Sequence, residues 1–470
     1  MTPQREWTVL LYMAGDNGRL FHSNRGDFSL MAQMTGPGVV DLNEAESVGS
    51  TDDMAVLAQF DTLPAHDTLA PQLAAAAGST YRLEVRQGRS VSGNVVEVLE
   101  DVNTGNPVGL AQFIVWGMTR CPAKRTLLVL WNHGLGWRDS DIYQQVRSQS
   151  RGSRAGEPER SRNLGMFRST AATVARRARR SQGDEARGIL CDDTSLDFLT
   201  NVELSQALRV AEFAADEAEV QAIFADKSRL AEMMRWGNEG ARRRLNLLGM
   251  DACLMAMIEV QYQVRRFAEV LVASQEVEPM NGWPYHTILA ELAARPTMTS
   301  RELATLIVDH YADSYSGRST PNITQSAVDL GRMAEAERLL RPLARALARE
   351  IGQDLLLEKA FDDARDKATR NGYAFEDPEY LDLTSLLAAL QRGYRGDAAA
   401  SKTLAAAQAL HDWLLSAASP VLHNRAEGKF SGKAHGISIY VPRTMPSPLY
   451  KQLDFAASGW LNALTRIYQA

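Results

Sequence analysis

The chain has 470 residues, 45% of them apolar and 23% charged, with a formal net charge of −6; these values describe an ordinary globular protein and exclude a polybasic or disordered polypeptide. The length exceeds one simple core and asks for a large domain with a second lobe, or two to three domains. Arginine outnumbers lysine 43 to 8, and the three cysteines (Cys121, Cys191, Cys253) are too few and too widely spaced for a disulfide framework or a cysteine zinc site, so a reducing, cytoplasmic setting is expected.

The N-terminus "MTPQREWTVLLYMAGDNG" has an apolar run of about eight residues and no basic leader, so it reads as a first strand rather than a signal peptide. Further strand-like runs follow at 53–62, 125–137, 245–254 and 269–279, each ending in a polar or glycine-rich loop. Segment 81–100 alternates around turn residues as a hairpin would, and 107–120, 201–215 and 254–267 read as helices. Buried strands alternating with helices predict an α/β fold with a mostly parallel sheet, and sites in such sheets form beyond the carboxyl ends of the strands. Segment 140–187 differs: it carries eleven arginines, no lysine and few large apolar residues. It is expected to be an exposed, mobile loop, with a short basic helix over 166–180. After about residue 290 amphipathic helices dominate (298–315, 332–352, 383–392, 401–418), interrupted by strand-like pieces at 324–330 and 435–443. No stretch approaches the ~20 apolar residues of a membrane span, so no membrane partner is expected.

Two strand ends carry chemistry. In "LLVLWNHGLGW" an apolar strand ends before His133, and Gly134 lets the backbone approach a ligand and aim its N–H at an oxyanion. In "LNLLGMDACLMAMIEV" Cys253 stands where an apolar strand gives way to strong helix formers, Leu254 onward, whose N-terminal dipole would favour a thiolate. Taken singly, His133 reads as a satisfied loop histidine and Cys253 as a buried small hydrophobe. Together, on one sheet, they can converge as base and nucleophile, with the backbone N–H groups of Cys253 and Gly134 facing the oxyanion. Asp251, two residues before the cysteine, would raise a thiol pKa and suits substrate guanidinium better; a helix-capping role is the competing reading.

The blocks "WTVLLYMAGDN" (7–17), "LLVLWNHGLGW" (127–137), "CDDTSLDFLTNVELSQAL" (191–208), "MDACLMAMIEVQYQV" (250–264) and "ASQEVEPMNGWPY" (273–285) together resemble the clostripain family of cysteine peptidases, in the family's order. The late segment "HGISIYVPR" also resembles a family strand. The resemblance implies a caspase-like α/β/α sandwich with a mostly parallel central sheet, plus a mainly helical C-terminal half. It implies a His133–Cys253 dyad and endopeptidase cleavage after basic residues, chiefly arginine. Asp251 matches the acid that holds the P1 side chain, the residue before the cleaved bond. Glu276 and Glu278 match pocket-wall acids, while Gln275 departs from a usually acidic position. Asp16 and Asn17 would line the cleft or simply form a turn. Some members of the family depend on calcium, for which Asp192, Asp193 and Asp197 are candidates. Their spacing matches no EF-hand loop, and a capped loop before the helix at 201–209 is the other reading. No other cofactor is implied.

The expected division is a first part of the caspase-like domain (1–139), the arginine-rich activation loop (140–187), a second part bearing the cysteine (188–290) and the mainly helical region (291–470). The resemblance implies maturation by cleavage between His133 and Cys253. Candidate cut sites are Arg147, Arg151, Arg154, Arg160, Arg162, Arg168, Arg176, Arg177, Arg179, Arg180 and Arg187. The expected partners are proteins or peptides with exposed arginine and an upstream activating protease, in a regulated bacterial cascade. The competing readings are a catalytically dead scaffold, a hydrolase of non-peptide acyl substrates, and an arginine loop that binds nucleic acid or an acidic partner. Lack of interleaved aromatics in that loop and the net acidic chain argue against nucleic acid.

Overall fold

The computed structural model describes residues 4–17, 34–62, 80–137, 189–192, 195, 197–317, 322–351, 355–368 and 375–469. The chain divides into two compact units, Met1–Ala252 with Pro279–Leu303 and Cys253–Glu278 with Ala304–Ala470.

In the first unit the strands are β1 (Arg5–Gly15), β2 (Met54–Thr62), β3 (Thr80–Glu84), β4 (Val95–Leu99), β5 (Ala123–Trp131), β6 (Ile189–Asp192), β7 (Asp197–Leu199) and β8 (Leu247–Asp251). The sheet runs β8-β5-β1-β2-β3-β4. β8, β5, β1 and β2 are parallel, as near-continuous apolar runs demand when both faces are covered. β3 and β4 form the expected antiparallel hairpin, whose outer strand leaves Val96 and Val98 exposed. β6 and β7 pair with each other apart from this sheet.

Register shows that helices cover both faces. Met13, Phe60 and Trp131 sit side by side on β1, β2 and β5; Phe60 reaches Gly38 and Trp131 bonds to Asp41, both in the helix Thr35–Val48. Tyr12, one residue earlier and so on the opposite face, meets Phe113 of the helix Pro107–Arg120 at 5.6 Å between ring centres. The helices begin where their caps direct. Asn106 accepts from the Val108 N–H ahead of Pro107, and Thr200 and Glu203 form a capping box before the helix Asn201–Phe213.

In the second unit β9 (Val270–Ala273), β10 (Thr324–Asp329) and β12 (Val421–Ala426) form an antiparallel run in the order β9-β10-β12. β11 (Tyr380–Asp382) pairs with β13 (Ser438–Tyr440). Around them pack the helices Met333–Ala346, Leu383–Gly393, Ser401–Leu414 and Trp460–Gln469, the mainly helical character expected of this region.

Two expectations shift. Segment 435–443 contributes only the three residues of β13, because Gly436 takes φ +98° and turns the chain; the strand beside β10 is instead 421–426, whose polar "VLHNRA" carries no clear apolar alternation. The helix expected over 254–267 spans only Ile258–Val264. Residues 254–256 are instead tied to other segments, Leu254 N–H to Glu276 O and Ala256 N–H to Ser274 O, while Ala256 O receives the Ser438 N–H. Cys253 is therefore not at a helix N-terminus, and a helix dipole is not what acts on its thiol.

Candidate active site

His133 and Asp251 belong to the first unit, and Cys253, Glu276 and Glu278 to the second. His133 follows β5 directly. The preceding Asn132, which the sequence reading passed over, accepts from the Cys191 N–H at 3.1 Å and donates its amide to Ala14 O, while its own N–H bonds to Asp251 O. One side chain thus braces the ends of β1, β5 and β6 around the histidine; the triplet Asn-His-Gly was the only signal of it. Gly134 forms an isolated bridge with Ile189. His133 is half-buried, and loss of solvation lowers its pKa to about 4, so the ring is neutral at pH 7 and able to take a proton.

Asp251 ends β8 and is 5% exposed. Its Oδ2 accepts from the Trp283 N–H at 3.2 Å and the Tyr285 hydroxyl at 2.8 Å. Gly282 takes φ +51°, and a Cβ there would lie 3.0 Å from the carboxylate; glycine is needed both for the left-handed turn and for the close approach. Both bonds to Asp251 come from the start of the helix Tyr285–Ala294 and the residues just before it.

Cys253 is half-buried and unoxidised, and its Sγ accepts from the Glu278 N–H at 3.3 Å. The next residue, Leu254, takes φ +64°, a conformation that costs a non-glycine residue on the order of 1–3 kcal/mol and gathers at functional sites. Loop 274–278 is held by a polar knot that sequence did not reveal. Thr324 Oγ1 accepts from the N–H groups of Gln275 and Glu276 at 3.0 and 2.9 Å, and the Ser274 hydroxyl bonds to Thr324 O at 2.7 Å.

Within that loop, Glu276 is buried. Its Oε1 accepts from Val277 and Glu376 N–H groups, and Lys429 Nζ stands 3.8 Å from Oε2. Burial raises its pKa to about 7. Its side chain serves the loop's own framework. Glu278 Oε1 receives the Gln325 amide at 3.1 Å. Gln275 donates to Asp382 Oδ2 at 3.1 Å and accepts from the Gly436 N–H at 2.8 Å, so its departure from an acidic residue answers a buried carboxylate.

Asp16 and Asn17 are buried at the end of β1. Asn17 donates to Cys191 O at 2.7 Å, and its N–H closes a turn onto Gly15 O. Asp16, Asp61 and Asp101 bring carboxylate oxygens within 4.8 Å of one another, the one such grouping among the described residues. Asp192 and Asp197 are not in it. Asp192 accepts from the Thr104 and Ser195 N–H groups at 3.0 and 2.7 Å, and Asp197 from the Asn103 amide at 2.8 Å. These bonds cap loops. Asp193 and the arginine-rich segment, with Arg147 to Arg187 and the helix expected at 166–180, lie outside the described residues.

His133 thus follows the carboxyl end of β5, and Cys253 comes two residues after the end of β8. The clostripain family's sequence model matches residues 38–151 and 177–466, and the chain belongs to that family. A secreted C11 cysteine protease from Bacteroides thetaiotaomicron, solved with an irreversible peptide inhibitor, is similar over 97% of this chain and 99% of that one, at 16% identity and a TM-score of 0.54. An inactive zymogen C11 protease from Parabacteroides distasonis is similar over 98% and 99%, at 16% identity and a TM-score of 0.55. At these identities the likeness is one of fold. No curated protein sequence matches the chain. Among the described residues no helix is long and apolar enough to cross a membrane.

Proposed function

We propose that this member of a cysteine protease family is an endopeptidase that cleaves proteins and peptides after arginine, with lysine accepted less well. His133 removes the proton from Cys253, and the thiolate attacks the carbonyl carbon of the scissile bond. The N–H groups of Cys253 and Gly134 stabilise the oxyanion, and His133 returns its proton to the departing amine. Water, activated by the same imidazole, then releases the acyl group from sulfur. Asp251 receives the P1 guanidinium. Support comes above all from Cys253, half-exposed just past a strand end and followed by a residue held at φ +64°.

The enzyme is made as a zymogen, cut within 147–187 by itself or by an upstream protease, and acts in a regulated bacterial cascade of the stress, cell-suicide or anti-phage kind. The arginines of that segment and its place between His133 and Cys253 support this reading. Three cysteines, none in a disulfide, support a reducing, cytoplasmic setting. The zymogen step is tested by incubating wild type beside Cys253→Ala and mapping cuts by mass spectrometry. Cleavage within 147–187 that precedes activity is expected; full activity of an uncut chain overturns it.

A further inference from the structure

A second acid stands beside Asp251 that no motif announces. β5 and β8 are parallel neighbours with Trp131 opposite Asp251, so both side chains leave the sheet on one face. The Trp131 indole N–H donates to Asp41 Oδ2 at 2.7 Å. Asp41 comes from the helix Thr35–Val48 and is 3% exposed. That helix packs against the helix Tyr285–Ala294, whose first residue holds Asp251 through its hydroxyl. Two carboxyls therefore flank one indole under two helices.

The charged surroundings of Asp41 are one-sided. Asp251 faces it from β8 and Glu44 from its own helix, both opposing its ionisation. From the second helix come the Tyr285 hydroxyl, engaged on Asp251, and His286, engaged on Glu44 at 2.9 Å. β1 and β2 present Met13 and Phe60 on this face. No lysine or arginine among the described residues pairs with Asp41. Burial first, and the charge of Asp251 second, raise its pKa to about 9. A buried pair so arranged keeps a proton, because two like charges in a water-poor space do not both ionise.

We propose that Asp41 is the second acid of the P1 site: with Asp251 it forms a carboxyl pair that holds one proton when empty and releases it to solvent when a guanidinium enters. The planar guanidinium can donate along two edges and so satisfy two carboxylates at once, which a lysine ammonium does less well. The pair thereby selects arginine over lysine. This rests on Asp251 being the P1 acid.

The test compares wild type with Asp41→Asn, whose amide oxygen can still accept the Trp131 N–H. On a P1-arginine peptide the variant's KM should rise about tenfold or more with kcat within about twofold, and its arginine-over-lysine preference should shrink. Wild-type KM for arginine should fall as pH rises from 7 to 9, and the variant's should stay flat. A second readout needs no variant. Agmatine, an arginine side chain without a carboxylate, titrated calorimetrically into the full wild-type chain at pH 7 in two buffers of different ionisation enthalpy, should release close to one proton per molecule bound. Cleavage after arginine with unchanged KM in Asp41→Asn, or agmatine binding without proton release, overturns the role of Asp41 alone. A wild type that neither cleaves after arginine or lysine nor binds agmatine overturns the P1 assignment of Asp251 as well.

Discussion

Single residues set the chemistry, and their surroundings set its pH dependence. His133, kept neutral by loss of solvation, would act as a base that waits for the thiol proton rather than as one half of a standing ion pair. Its protonation should therefore limit the reaction only in acid. The acid limb of kcat is expected well below the ordinary 6.5 of histidine, towards 4, and a limb at or above 6.5 would show that the ring is solvated. The same shift acts on stability. Between pH 6.5 and about 4 the unfolded chain binds a proton at His133 that the folded chain does not, so stability falls as pH falls through that window. His133→Gln should flatten that slope in urea titrations and lower kcat by roughly 10²- to 10⁴-fold. His133, Asp251 and Cys253 were legible as candidates because each ends or follows an apolar run. Asp41 was not, since nothing in "VVDLNEAE" distinguishes an acid turned inward from one facing water.

At the scale of elements, the loop 274–278 donates a bond to the Cys253 sulfur, and the turn at Gly282 lies against the Asp251 carboxylate. Gln275 meets Asp382 with an amide donor and Gly436 with an oxygen acceptor; a glutamate would place a second carboxylate against a fully buried one. Gln275→Glu should thus cost about 2–4 kcal/mol in denaturant unfolding, much of it from an uncompensated buried charge. An unchanged midpoint would mean that the loop yields to admit water. Gly282→Ala puts a methyl group against the Asp251 carboxylate on a backbone of φ +51°. It should raise KM for P1-arginine peptides about tenfold while sparing kcat, as steady-state kinetics would show. Sequence pattern found β1 to β5, β8, β9 and β10 and helices such as Pro107–Arg120 and Asn201–Phe213, since their apolar periodicity and caps are local, but not β6, β7, β11, β12 or the helix Thr35–Val48. It overran the short helix after Cys253 because "LMAMIEV" has high helix propensity. Bonds to Ser274, Glu276 and Ser438, from segments distant in the chain, hold residues 254–256 out of the helix instead.

For the whole molecule, family membership and the α/β fold agree with what the motifs implied. The proposed regulation rests on chain order: His133, then an arginine-rich stretch, then Cys253. An arginine-cleaving enzyme whose segment 147–187 carries eleven arginines would be its own first substrate. Replacing all eleven by glutamine should leave a chain that folds, with an unchanged unfolding midpoint, yet stays uncut and inactive until cleaved at an introduced foreign protease site. Activity of the uncut variant would separate catalysis from processing.

The most direct measurement is initial-rate hydrolysis of matched fluorogenic peptides with arginine, lysine or aspartate at P1, by wild type and Cys253→Ala side by side. The account predicts arginine cleaved fastest, lysine more slowly, aspartate at background, and every signal lost in the alanine variant. Hydrolysis that survives in Cys253→Ala, or that shows no preference for a basic P1 residue, would contradict it.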